Sequence, residues 1–205
     1  MKEVGVSVAL EDELDGITLL RKIERAGRTC YKSDGRITDG SFASFVEQII
    51  KREHESVLEH EKVTLRIICD RGVSHEIVRH RIGSYSQEST RYCNYSDEKF
   101  SKEITVIKPL FWEEGSPKLE SWRVAMRTAE KSYFDLLETG ATPQEARSVL
   151  PNSLKTEIVV TYNLREWRYF LRLRTATTAH PQMREVANMC KEILQKNIPI
   201  VFDML

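Results

Sequence analysis

Residues 156–175 read TEIVVTYNLREWRYFLRLRT. Thr156–Tyr162 is a β-branched run of the kind that fits a pleated, half-buried strand. Asn163, with Glu166 three residues later, is a helix start signal. It opens a helix over Leu164–Thr175. A strand that hands directly to a helix points to a mixed fold, and the rest of the chain continues in that way.

Towards the N-terminus, Lys2–Leu10 alternates as one strand. Gly16–Tyr31 has helical spacing through Leu19, Leu20, Ile23 and Ala26. Ser33–Gly40 is a polar turn, and a second helix places Phe42, Phe45, Val46, Ile49 and Ile50 on one face. Val63, Leu65, Ile67 and Cys69 alternate with Thr64, Arg66 and Ile68, predicting a half-buried strand, and a short helix starts near Val73. In the second half a strand lies near Thr105. Ser116-Pro117 starts a long helix that Gly140 closes after Glu138, and Thr142–Glu145 is a capping box on a helix ending before Pro151. A last helix runs from Pro181 to about Asn197. No repeat, low-complexity tract or linker interrupts this order, so one α+β domain over residues 1–205 is the economical reading.

The helix after Asn163 carries four arginines. Arg165, Arg168 and Arg172 fall at i, i+3 and i+7 and form one stripe, for which a solvated face is sufficient explanation at Arg168 and Arg172. Arg174 lies about 180° from Arg165 at ~100° per residue, beside Trp167, Phe170 and Leu171. An arginine on an apolar face must be paired. Either it forms a structural ion pair, or it is aimed at a ligand's developing negative charge.

A second cluster spans Arg79–Arg91, RHRIGSYSQESTR. Only Ile82 and Tyr85 are sizeable apolar groups there, so the stretch cannot be core, and neither a helical nor a strand period describes it. From Arg71 to Arg91 there are four arginines and no lysine, whereas a solvated face mixes both. Arginine forks, serine hydroxyls and exposed glycine backbone suit an anion.

That site must be local. Among 205 residues, 31 basic side chains balance 31 acidic ones, which argues against a general nucleic-acid or membrane-surface binder. A 40% hydrophobic, 30% charged composition is that of a globular chain. Cys30, Cys69, Cys93 and Cys190 are dispersed, with no CxxC pair, and read as reduced thiols. The acidic N-terminus is no signal peptide, and no apolar segment approaches the ~18 residues of a membrane span. These features describe a cytoplasmic protein.

Several chemistries lack their signatures. His54 and His60 are six apart and His75 and His80 five apart, neither being the HExxH spacing of a zinc helix. His54, Ser56, Glu59 and His60 read better as a polar turn, where ligands are often met. Ser84, Ser86, Ser89 and Cys93 lie near His80 without a GxSxG elbow. No GxGxxG or GxxxxGK[ST] loop is present, so a bound nucleotide would be held by arginines.

Arg79-His80-Arg81, followed after seven residues by Ser89, resembles the RHRx7S signature of the flavin-dependent thymidylate synthases. HESVLEH (54–60) is similar to that family's HxSxxEH segment, SYSQESTR (84–91) to the interior and exit of its motif, and ARSVLPNSLKT (146–156) to its ARxxLP segment. NLREWRYFLRLR (163–174) resembles its N-x-R…R helix, and HPQMRE, beginning at His180, its C-terminal histidine region. The blocks keep the family's order over residues 50–190.

The resemblance implies a central twisted, largely antiparallel β-sheet flanked by helices, assembled as a homotetramer with active sites shared between subunits. It implies reductive methylation of dUMP to dTMP, with 5,10-methylenetetrahydrofolate as carbon donor, FAD as hydride carrier and NADPH as reductant, and no cysteine nucleophile. Carried over by position, dUMP falls to Arg79, Gln87, Ser89, Arg91, Arg147 and Arg174, with Arg174 catalytic. FAD falls to Ser56, Arg79, His80, Arg81, Gln87, Asn163, Arg165 and His180; no metal is implied. Glu76 stands where the family has glutamine, and Tyr169 where it has histidine or asparagine. The alternative from another class is a noncatalytic nucleotide- or RNA-binding module using the same arginines. Its want of aromatics interleaved with the basic residues weighs against it.

Overall fold

The computed structural model describes residues 1–203 and has mixed helix and strand. In chain order the elements are β1 (Lys2–Val4), β2 (Ser7–Leu10), α1 (Gly16–Tyr31), α2 (Ser41–Lys51), β3 (Lys62–Asp70), α3 (Arg71–Ile77), β4 (Gly83–Gln87), β5 (Thr105–Ile107), α4 (Pro117–Glu138), α5 (Pro143–Ala146), β6 (Lys155–Asn163), α6 (Leu164–Arg174), α7 (Pro181–Asn197) and α8 (Pro199–Phe202). A four-stranded antiparallel sheet has the order β2-β3-β6-β4, and β1 pairs with β5 in a separate parallel pair. No helix among the described residues is long and apolar enough to cross a membrane.

The expected α+β class therefore holds, with three corrections. The run Lys2–Leu10 is two strands in two sheets, broken at Gly5-Val6. The stretch 79–91, read as lacking any strand period, contains β4 on the outer edge of the larger sheet. Ser84 and Ser86 share its exposed face and the other face carries Gly83, Tyr85 and Gln87, so no apolar alternation marks it. That same stretch reaches the interior at His80 and Thr90, which are 3% and 7% exposed. A short helix after Pro199 was also unanticipated.

Contacts divide the chain into two compact units. Unit 1 comprises residues 1–7, 67–79 and 86–158, and unit 2 comprises 8–66, 80–85 and 159 onward. Unit 1 is built around α4. The Ser116 hydroxyl accepts from Leu119 N, and Pro117 occupies the first turn where its missing N–H costs nothing. Gly140 ends the segment at φ +95°, a conformation that a side chain resists. Leu119, Trp122, Met126 and Tyr133 of α4 pack with Tyr95, Ile104, Val106, Ala146 and Leu154.

Unit 2 packs helices around Trp167, Phe170 and Leu171 of α6, all fully buried. The Trp167 indole N–H donates to the Val63 carbonyl at 2.9 Å, which pins α6 to β3. Asn163 ends β6 and caps α6, its Oδ1 accepting from Glu166 N at 2.8 Å. The strand-to-helix junction read from residues 156–175 is thus realised, with the helix ending at Arg174.

Gly83 starts β4 against Tyr162 of β6. A Cβ there would sit 2.4 Å from the tyrosine ring and 3.2 Å from the Thr161 carbonyl. Gly83→Ala must displace a fully buried ring, so it should destabilise the protein by ~1–3 kcal/mol, read as a lower urea midpoint at unchanged m-value. An unchanged midpoint would contradict this packing.

Candidate active site

The residues marked in the sequence fall in both units. Arg79, Gln87, Ser89, Arg91 and Arg147 belong to unit 1; Ser56, His80, Arg81, Asn163, Arg165, Arg174 and His180 belong to unit 2.

In unit 1 the chain turns tightly after β4. Ser89 O accepts from Tyr92 N and Cys93 N, and Ser89 Oγ accepts from Arg91 N at 3.3 Å. The Arg91 guanidinium lies over the Tyr92 ring, and its Nε donates to Gln144 Oε1 of α5 at 3.2 Å. Three residues beyond Gln144 comes Arg147, exposed at the start of a 3-10 turn. Arg91, Ser89 and the α5 end that carries Arg147 are therefore brought together, and two guanidinium forks with a hydroxyl suit a phosphate. Gln87 is turned the other way. Its amide donates to Ser74 Oγ (2.9 Å) and Thr156 Oγ1 (3.1 Å), a structural anchor for the end of β4. Arg79 is exposed at the end of α3.

In unit 2 the organising group is His80. Burial, set against the raising influence of Glu166 and reinforced by the Arg174 charge, holds its pKa below the ordinary 6.5, so the ring is neutral near pH 7. Arg174 Nε donates to His80 Nε2 at 3.2 Å. The other nitrogen, Nδ1, lies 2.8 Å from Glu166 Oε1. Since Nε2 accepts, the proton is on Nδ1 and is donated to Glu166. The Tyr85 hydroxyl donates to the His80 carbonyl and bonds the Tyr162 hydroxyl at 3.1 Å. Burial first of all keeps both phenols neutral by raising their pKa values. Phe170 packs edge-on to the imidazole with ring centroids 5.1 Å apart.

Through its Nε, Arg174 is bonded to a neutral ring. The expectation for Arg168 is overturned. It is 4% exposed, its Nε bonds Glu55 Oε1 at 2.9 Å and its NH1 donates to the Val201 carbonyl. The turn at Glu55 and helix α8 cover the middle of the stripe, whose outer members Arg165 and Arg172 stay half exposed. The structural arginine on α6 is Arg168.

Next to this network is a cleft of about 340 Å³ lined by Asn163, Arg165, Glu166 and Tyr169 of the β6–α6 region, with Ile82, Glu55, Glu59 and Arg172. Arg165 NH1 is held by Glu59 at 2.5 Å, so an anion there competes with a carboxylate. Tyr169 presents an exposed ring in this cleft. Guanidinium, amide, aromatic and aliphatic groups in one cleft suit part of a ligand that joins phosphates to flat rings. Ser56, Arg81 and His180 are exposed elsewhere in unit 2, His180 at the N-terminus of α7. The sequence reading missed Glu166, taken as a capping partner of Asn163, and missed Gln144, Tyr85 and Tyr162. Spacing marks Glu166: with Phe170 and Arg174 it forms an i, i+4, i+8 row. All four cysteines are free, and burial pushes the Cys69 thiol up to about 12, away from nucleophilic use.

A family model described as thymidylate synthase complementing protein matches residues 18–200. A flavin-dependent thymidylate synthase from Pyrococcus furiosus is 34% identical over 186 residues, covering 90% of this chain and 75% of the relative. One from Thermococcus kodakarensis is 37% identical over 164 residues, covering 80% of this chain and 66% of the relative, just under two thirds of its length. The chain belongs to the flavin-dependent thymidylate synthase family. A crystal structure of the UMP/dUMP methylase PolB from Streptomyces cacaoi, bound with 5-Br dUMP, superposes with a TM-score of 0.79 over 99% of this chain and 96% of that one. At 23% identity that likeness speaks for the family's fold.

Two predictions follow from the arginine and histidine environments. Arg168→Ala leaves the buried Glu55 with only the half-exposed Arg172, 3.6 Å away, and should cost ~3–5 kcal/mol in chemical denaturation, whereas Arg172→Ala should cost under ~1 kcal/mol; equal costs would refute the distinction. Because the folded-state pKa of His80 is depressed, the unfolded chain takes up the proton first. Stability is therefore full above pH ~6.5 and declines as pH falls below it towards the folded-state value. The stability difference between wild type and His80→Gln should narrow between pH 7 and 5, and a constant difference would contradict a neutral His80.

Proposed function

We propose that the protein converts dUMP to dTMP by reductive methylation, with 5,10-methylenetetrahydrofolate as carbon donor, NADPH as reductant and FAD as cofactor. The observation that carries this reading is Arg174, a half-buried guanidinium held on the acceptor nitrogen of a neutral histidine. An arginine cannot serve as a base at working pH. It can hold a fixed positive charge where a pyrimidine N3 loses its proton and C5 becomes nucleophilic, stabilising charge that develops only on the way to the transition state.

The remaining assignments go with this role. Arg91, Arg147 and the Ser89 hydroxyl bind the phosphate, with Ser89 acting as a ligand and not as a nucleophile. Arg79 completes the nucleotide contacts, while Gln87 anchors the end of β4 through Ser74 and Thr156. The cleft by α6, with Asn163 and Arg165, holds the dinucleotide, its donor set suiting a pyrophosphate and ring system, and Ser56, His80, Arg81 and His180 of the same unit are assigned to that cofactor. When bound, the flavin supplies hydride transfer; the chain's own groups bind, orient and exclude water. Residues 1–205 act as one functional domain of a cytoplasmic homotetramer whose subunits share active sites.

The test is direct. The purified protein should be yellow or become so on loading with FAD, and its NADPH oxidation should respond to dUMP. Arg174→Ala should lower dTMP formation by ~10²–10³-fold or more while retaining FAD. A protein that cannot be loaded with FAD would overturn the reading, and parallel loss of flavin and turnover in Arg174→Ala would make that residue structural.

A further inference from the structure

Glu166, Phe170 and Arg174 lie in a row along α6, and the His80 ring lies along that row. It packs on Phe170 and reaches Glu166 with one nitrogen and Arg174 with the other. Glu at the third position of a helix commonly turns back to the capping residue's backbone N–H. Here Asn163 takes the Glu166 backbone N–H while the carboxylate points to His80. The ring has three states, and only one suits Arg174. A proton on Nε2 would set two N–H donors face to face, and an imidazolium would add like-charge repulsion. With the proton on Nδ1, Nε2 accepts from the guanidinium.

We propose that Glu166 is a positioning residue for the reaction: its carboxylate accepts the hydrogen bond from His80 Nδ1–H, fixes Nε2 as an acceptor, and thereby holds Arg174 in the orientation that meets the substrate. This rests on the function proposed above for Arg174. The tyrosines around the ring cannot replace it. Tyr85 of β4 bonds the His80 carbonyl, Tyr162 of β6 bonds Tyr85, and Tyr169 of α6 packs on the ring with centroids 5.6 Å apart. Cys190 of α7, also buried, adds a minor raising influence on the Tyr162 phenol. Glu166 is the carboxylate bonded to the imidazole.

Two readouts separate positioning from simple stabilisation. Nitrogen-15 NMR of histidine-labelled, FAD-loaded protein should find His80 with the proton on Nδ1 in the wild type and a tautomer mixture in Glu166→Ala. The kcat of Glu166→Ala should fall ~10²-fold, as expected for a misplaced catalytic group, and Glu166→Gln, whose amide oxygen still accepts from Nδ1, should recover most of it. The pH profile supplies the sign. Glu166 raises the His80 pKa against the effect of burial, so in Glu166→Gln that pKa drops and the acid limb of kcat should move to lower pH. An unmoved limb, an unchanged tautomer in Glu166→Ala, or a kcat within twofold of wild type would overturn the proposal. A wild type that forms no dTMP would overturn the functional reading along with it; a wild type that forms dTMP as fast as Glu166→Ala would overturn the positioning role alone.

Discussion

An arginine head stays beside an imidazole only while the nitrogen facing it is an acceptor. Much of unit 2 serves that condition at His80. Burial disfavours the imidazolium, Phe170 and Tyr169 enclose the ring, and Tyr85 takes up the backbone carbonyl that would otherwise be unsatisfied. The frame for these groups is the junction of β6 with α6, where Asn163 caps the helix and Trp167 ties it to β3. Gly83 lets β4 approach close enough for Tyr85 to meet Tyr162.

The two interior arginines of α6 show how the same side chain is put to different ends. Arg168 has a buried carboxylate and a backbone carbonyl as partners, and its charge is spent on holding the Glu55 turn and α8 to the helix. Arg174, six residues on, keeps its charge partly open to solvent and leans on a neutral partner. A guanidinium that solvent still reaches is one that a ligand can meet. In unit 1 the pattern recurs in milder form, since Arg91 is oriented by an uncharged amide and an aromatic face.

Much of this was legible in the sequence where the signal is local. The helices at 16–31, 117–138 and 181–197 follow from periodicity and caps, as does the β6–α6 junction. What escaped depends on partners distant in the chain. β4 is a strand because β6 offers its edge, and nothing in GSYSQ has the alternation that would announce it. Arg168 is buried because α8, itself four residues long, and the turn at Glu55 close over it. The arginine and serine positions of the candidate site were marked by motif, but the role of Glu166 was not, because a capping signal explained it sufficiently.

The central claim is that this arrangement of arginines serves carbon transfer to a pyrimidine. Incubating the wild-type protein with FAD, NADPH, dUMP and methylenetetrahydrofolate labelled at the methylene carbon tests it most directly. The account predicts label in the 5-methyl group of dTMP, formed ~10²–10³-fold or more slowly by Arg174→Ala. Recovery of unlabelled dUMP as the sole nucleotide from a flavin-loaded wild type would contradict it.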